Sequence, residues 1–172
     1  MSNKIKYLVM DVDGTLTDGK IYMGNDGEMM KAFDIKDGYG IHDILPKLGI
    51  TPIIITGRSS FIVQNRCTEL GITLLFQGVS DKVGKLKDIL REQGGNPSEV
   101  AYVGDDLNDL QSMLYVKNNG GEVGVPQDAC KQVKEIATFV ANAFGGNGAV
   151  REFIDYLFID YTNEESINGR GV

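Results

Sequence analysis

The chain is short of cysteine, of positive charge and of long apolar runs, and each shortage removes a class of protein. Only two cysteines occur in 172 residues, Cys67 and Cys130. They lie far apart, show no zinc-ligand spacing and are too few for a disulfide framework. Both read as small buried hydrophobes in helices, which fits a reducing compartment. The formal charge of −7 argues against a nucleic-acid partner, because proteins that grip a phosphate backbone are usually basic. It also means that an anionic substrate needs local positive charge set against the global field. No apolar run is long enough to span a bilayer. Met1-Ser2-Asn3-Lys4 leads into a short apolar stretch rather than a secretory signal. The expectation is a cytoplasmic protein with no membrane partner.

What is present is an alternation of short apolar runs and amphipathic segments. Tyr7 to Met10, Pro52 to Ile55, Leu74 to Phe76, Ala101 to Val103 and Val123 to Val125 read as buried strands, with Ala137 to Val140 a sixth. Gly40 to Leu48, Ser60 to Leu70, Lys82 to Gln93, Asn108 to Tyr115 and Asp128 to Ile136 read as helices between them. This β-α-β order predicts an α/β fold, a mostly parallel sheet flanked by helices. The length suits one domain, expected over residues 1–160, with a polar tail over 161–172 that frays.

One segment breaks the rhythm. Lys20 to Met23 and Glu28 to Phe33 flank Gly24-Asn25-Asp26-Gly27, which predicts a β-hairpin inserted after the first strand. Its arms carry Ile21, Tyr22, Met23, Met29, Met30 and Phe33. A two-stranded ribbon this apolar needs cover, either from a second subunit or from its own domain.

The chemistry-bearing residues fall at predicted strand ends and one helix start. Asp11 and Asp13 follow the first strand in Asp11-Val12-Asp13-Gly14-Thr15. Two carboxylates at about 4 Å repel by about 4 kcal/mol at an effective dielectric near 20, so such a pair calls for a cation or a shared proton. Thr56-Gly57-Arg58 follows the second strand, Lys82 opens a helix, and Gly104-Asp105-Asp106-Leu107-Asn108-Asp109 follows the fourth strand. Taken singly, each has a structural alternative: an Asp turn, a strand stop, a solvated lysine, a helix cap. Taken together, a parallel sheet brings them to one edge. Acids with a divalent cation, a lysine, a hydroxyl and backbone amides are what phosphoryl transfer uses. Mg2+ suits such a site, since it prefers oxygen ligands and few carboxylates.

In these four stretches the chain resembles the haloacid dehalogenase superfamily of phosphatases, whose fold is Rossmann-like. More narrowly it is similar to the subfamily without a cap domain that acts on 3-deoxy-D-manno-octulosonate 8-phosphate (KDO 8-phosphate). That likeness rests on Ile21 to Asn25, Lys31 to Phe33, Asp37 to Ile41, Ile55 to Arg58, Ala101 to Asp106 and Gly148 to Glu152. The resemblance implies that Asp11 is the nucleophile and a Mg2+ ligand. It implies that Asp13 is the general acid/base and a ligand through its main-chain carbonyl, with Asp105 the other carboxylate ligand. Thr56 and Lys82 would hold the phosphoryl group. Asp34, Ile35, Lys36, Asp37 and Gly38, as a loop, would contact the sugar together with Gly57, Arg58 and Arg66. The resemblance further implies a homotetramer with the hairpin packed between subunits. His42 and Asn147 stand where the subfamily has arginines, which touches the carboxylate-sugar contact and brings in a nine-carbon sialic-type 9-phosphate as a competing substrate. A phospho-receiver domain or a silent oligomeric module are the readings of another class. A receiver would carry its acceptor Asp on a later strand, and the intact acids and lysine speak against a silent module.

Overall fold

The structure, a computed structural model, describes residues 5–167, with side chains described as far as Ile159. Strand β1 (Tyr7–Met10) is buried along its whole length, as a central strand covered on both faces must be. It pairs in parallel with β4 (Thr51–Ile55) on one side and β6 (Val100–Val103) on the other. Beyond β4 lies β5 (Leu74–Phe76), and beyond β6 lie β7 (Glu122–Val125) and β8 (Phe139–Val140). The order is β5-β4-β1-β6-β7-β8, and every pairing is parallel. This is the α/β Rossmann-like arrangement expected from the sequence.

Period-2 alternation divides the sheet between two cores. Leu8, Met10 and Ile54 face one layer with Ile41, Leu45, Val63, Phe153 and Ile154. These come from a π-helical turn (Gly40–Ile44) that continues α1 (Ile35–Tyr39), and from α2 (Leu45–Leu48), α3 (Phe61–Glu69) and α7 (Ala149–Ile167). Tyr7, Val9, Ile53 and Ile55 face the other layer with Leu86, Ile89, Met113, Val116 and Val133. That layer is α4 (Lys82–Gln93), α5 (Leu107–Asn118) and α6 (Lys131–Ile136). Cys67 and Cys130 are both free thiols, the first buried and the second half-buried.

The inserted hairpin is β2 (Tyr22–Gly24) and β3 (Gly27–Met30), antiparallel and separate from the main sheet. Its strands are shorter than the sequence suggested. Ile21, Met23, Met29 and Met30 are exposed, while Phe33 leaves the ribbon and packs on the first core. Among the described residues no cap domain intervenes between β1 and α1. No helix among them is long and apolar enough to cross a membrane.

Five features differ from expectation. The segment expected as a loop over 34–38 is helical, because the Asp34 side chain accepts from the backbone N–H groups of Lys36 and Asp37 and starts α1. The helix read from Gly40 continues through a π turn, where the Leu45 N–H bonds back to Gly40 O just before Pro46, a residue without a donor. The sixth strand is confined to Phe139–Val140, and α6 begins at Lys131. Helix α7 was not anticipated, and it runs to Ile167, into the segment expected to fray. Residues 168–172 of that tail lie outside the described residues.

Candidate active site

Register decides where the acids emerge. Met10 pairs with Ile54 on one side and Val103 on the other, so the residues that follow all three strands leave at the same edge. The edge lies where chain order reverses around β1, the usual crevice of an open parallel sheet. Asp11 follows β1 directly and is 3% exposed, with its N–H bonded to Val103 O at 3.1 Å. Lys82 is the first residue of α4, which Asp81 caps through Gly84 N–H at 2.9 Å. Its Nζ lies 2.8 Å from Asp11 Oδ1 and 2.8 Å from Asp109 Oδ1, and the lysine is buried.

Asp109 closes the Gly104–Asp109 motif, where the sequence alone marks no role for it. Here it is fully buried and accepts from Lys82, from the Tyr102 hydroxyl at 2.8 Å and from Asp105 N–H at 3.2 Å. The signal was available: Asp106 caps α5, so Asp109, in the first turn, stays at the sheet edge. Gly104 makes room for it, since a Cβ there would stand 2.5 Å from Asp109 Cγ. Gly14 does the same for Asp105. Its φ is +92°, and a Cβ would meet Asp105 Oδ2 at 2.0 Å.

The electrostatics describe a cluster in want of a cation. Burial, then the charges of Asp11 and Asp109, push Asp105 up to about 7, although Thr15 Oγ1 donates to it at 3.2 Å. Burial and Asp109 raise Asp11 to about 6 against the pull of Lys82. Burial works against the Lys82 charge, but Asp109 and Asp11 hold it above the ordinary lysine range. Asp11, Asp105 and Asp109 each offer an oxygen within 4.8 Å of the others. Three carboxylates against one ammonium, all oxygen donors and all at least half-buried, fit Mg2+.

Asp13 takes a different direction. Its carboxylate accepts from Lys31 and lies 3.8 Å from Arg58 Nε. The carboxylate cluster is therefore Asp11, Asp105 and Asp109, and the metal contact expected of Asp13 is one of its main chain. Thr56 is buried just past β4, its N–H bonded to Phe76 O at 3.0 Å, and Gly57 and Arg58 follow in exposed positions.

Of the expected sugar-contact residues, Asp34, Asp37, Gly38 and Arg66 line one small, mostly apolar cavity, while Arg58 stands beside Asp13. Ile35 and Lys36 are exposed, and Asp34 is occupied as a helix cap. Asp37 is buried and accepts from Arg151 N–H at 2.8 Å, at the start of α7; burial pushes it up to about 6. Gly38 is pressed against Arg66, where a Cβ would stand 2.4 Å from Nη2. Arg66 itself bonds Glu69 at 2.8 Å and lies over the Phe33 ring. His42 is exposed beside Asp43, and Asn147 is exposed in the glycine loop before α7.

Residues 41–116 match the haloacid dehalogenase-like hydrolase family. The 3-deoxy-D-manno-octulosonate 8-phosphate phosphatase KdsC of Escherichia coli K12 is 43% identical over 171 residues, covering 99% of this chain and 88% of that protein. The crystal structure of the Moraxella catarrhalis 3-deoxy-D-manno-octulosonate 8-phosphate phosphatase, in complex with magnesium ion, phosphate ion and KDO, superposes with a TM-score of 0.87. It is 37% identical and covers 96% of this chain and 92% of that one. The Yersinia pestis phosphatase structure gives a TM-score of 0.84 at 41% identity, over 92% of this chain and 83% of that one. With these relatives and this geometry, the chain belongs to the haloacid dehalogenase-like hydrolases, in the 3-deoxy-D-manno-octulosonate 8-phosphate phosphatase family.

Proposed function

We propose that the chain hydrolyses KDO 8-phosphate to KDO and phosphate, with Mg2+, through an aspartyl-phosphate on Asp11. The observation that carries this is the buried Asp11–Lys82–Asp109 contact beside Asp105, in a chain alike over nearly its whole length to phosphatases of that name. Asp11, Asp105, Asp109 and the main-chain carbonyl of Asp13 would hold the ion. When bound, Mg2+ neutralises the carboxylates and polarises the phosphoryl oxygens.

Asp11 attacks phosphorus in line, and the bond from phosphorus to the sugar oxygen breaks. Lys82, fixed by Asp109, keeps Asp11 ionised for that attack and supplies positive charge to the phosphoryl group. Thr56, with the amides near Gly14 and Gly57, receives phosphoryl oxygens. Asp13 gives a proton to the departing sugar oxygen. It then takes one from the water that releases phosphate from Asp11. Arg58 stands beside Asp13 at the mouth of the site and is the arginine best placed to meet the sugar carboxylate. Arg66 and Asp37 serve this contact only where they are released from Glu69 and from Arg151 N–H, while Ile35 and Lys36 are exposed beside them.

The reading includes a cytoplasmic homotetramer in which the hairpin packs between subunits; the exposed Met23, Met29 and Met30 support it. Sedimentation at micromolar concentration should give four times the chain mass, and a monomer would overturn that part. The activity is tested by phosphate release from KDO 8-phosphate and from a nine-carbon 3-deoxy-keto-acid 9-phosphate, with and without Mg2+. Release that requires Mg2+ and favours the eight-carbon ester is expected. Preference for the nine-carbon ester would trace to His42 and Asn147, and no release from either would remove the proposal.

A further inference from the structure

The hairpin reaches into the site by way of one buried cation. Lys31, just past β3, has a side chain only 2% exposed. Its Nζ donates to Asp13 Oδ1 and lies 2.9 Å from Glu28 Oε1, on β3 itself. Glu28 in turn accepts from Ser60 Oγ at 2.5 Å and from Arg58 Nη2 at 3.3 Å, both on the connection between β4 and α3. A buried lysine gains nothing from solvent. Burial works against its charge, but hydrogen bonds to Asp13 and Glu28 hold it above the ordinary lysine range. Among the described residues the sheet side offers Asp13 only Arg58 Nε at 3.8 Å, on the connection after β4. The closer hold on its side chain comes from the insertion.

We infer that Lys31 is a positioning residue for proton transfer: it aims the Asp13 carboxylate, and Glu28 aims Lys31. The inference rests on the phosphatase reading, in which Asp13 protonates the departing oxygen. A sugar alkoxide is a poor leaving group and needs that proton; a nitrophenolate does not. A misaimed Asp13 therefore penalises one ester and spares the other, whereas a general loosening of the site penalises both.

The test compares kcat/KM, which reports formation of the aspartyl-phosphate, for KDO 8-phosphate and p-nitrophenyl phosphate. Lys31→Met should lower the sugar ester by at least about 30-fold and the aryl ester by less than about threefold, a part of the roughly 100- to 10,000-fold that acid–base catalysis supplies, since Asp13 is misaimed and not removed. Glu28→Gln should fall the same way by a smaller factor, and Lys31→Arg should recover most of the loss. In the Asp13→Asn background, Lys31→Met should add nothing, since both changes act on one group. Equal losses on the two esters, or full additivity with Asp13→Asn, would make Lys31 a structural contact only. If Lys31→Met does not fold, Glu28→Gln and Lys31→Arg carry the comparison. Asp13→Asn with full activity on the sugar ester would instead sink the underlying acid–base reading, so the two failures are distinct.

Discussion

Replacing Lys82 by methionine keeps the stem and removes the ammonium from between Asp11 and Asp109. Each 2.8 Å contact is worth on the order of 6 kcal/mol of gross attraction at an effective dielectric near 20. Desolvation of the buried charges takes back much of that. What remains is the penalty for stranding partners, about 3–5 kcal/mol for a broken buried pair. For a chain of this size that lowers Tm by about 6–20 °C. The metal-free protein should show this in thermal or urea unfolding at fixed protein concentration.

The same change should move Mg2+ binding the other way. Among the described residues Lys82 is the one cation in direct contact with the cluster, and its charge opposes a second. Without it, half-saturation by Mg2+ should shift to concentrations at least about tenfold lower, because the acids have lost their internal neutraliser. Saturating Mg2+ should then restore much of the lost stability while turnover stays abolished. A variant within about 0.5 kcal/mol of the parent in metal-free buffer, or one that binds Mg2+ more weakly, would refute the electrostatic account of the site.

Asp11→Asn should abolish phosphate release and raise metal-free stability, since it removes one of the crowded charges; unfolding curves and phosphate release read both effects. Gly14→Ala should lose Mg2+-dependent activity by at least about 100-fold, because its Cβ would meet Asp105 Oδ2 at 2.0 Å at a φ of +92°. The control is Gly94→Ala, at φ +65° with open space around it, which should cost about 1 kcal/mol of stability and leave kcat unchanged. Metal-free stability should fall as pH rises from about 4 to about 7, because Asp11, Asp37 and Asp105 are raised to about 6, 6 and 7 and the folded chain holds protons the unfolded chain has released. Saturating Mg2+ should remove the Asp11 and Asp105 part of that slope and leave the Asp37 part. A stability that climbs over this range without metal would contradict the burial of these groups.

Much of this architecture is local enough to be read from the sequence. The β1 run and Asp11, the β4 run and Thr56, and the helix starting at Lys82 each need only a few consecutive residues, and each stands where expected. What escaped depends on distant contacts. Asp37 looked like part of a sugar-binding loop, yet its acceptor oxygen serves Arg151 N–H, 114 residues away. The start of α7 is hidden behind Gly145-Gly146-Asn147-Gly148, which reads as a loop and packs as one: Gly146 N–H bonds Thr15 O at 3.1 Å. Lys31 stands in one of the stretches of family likeness but with no role to read, because its partnership with Asp13 exists only once the hairpin folds back over the β1 loop.

The two aspartates of the first motif are neighbours in sequence but belong to different structural units. Asp11 is anchored by the sheet through Val103 O and by α4 through Lys82. Asp13 is anchored by the hairpin through Lys31, and by the connection after β4 through Arg58. In the proposed mechanism, attack on phosphorus thus depends on a deeply buried part of the fold. Proton delivery depends on a small insertion whose outer face leaves Met23 and Met29 more than half exposed. A two-stranded ribbon has little stability of its own, so its hold on Asp13 is only as firm as whatever packs against that face. In the proposed mechanism the nucleophile Asp11 and the three-carboxylate cluster are assembled from one chain. The acid–base arm is the part of this site most sensitive to how the hairpin is seated.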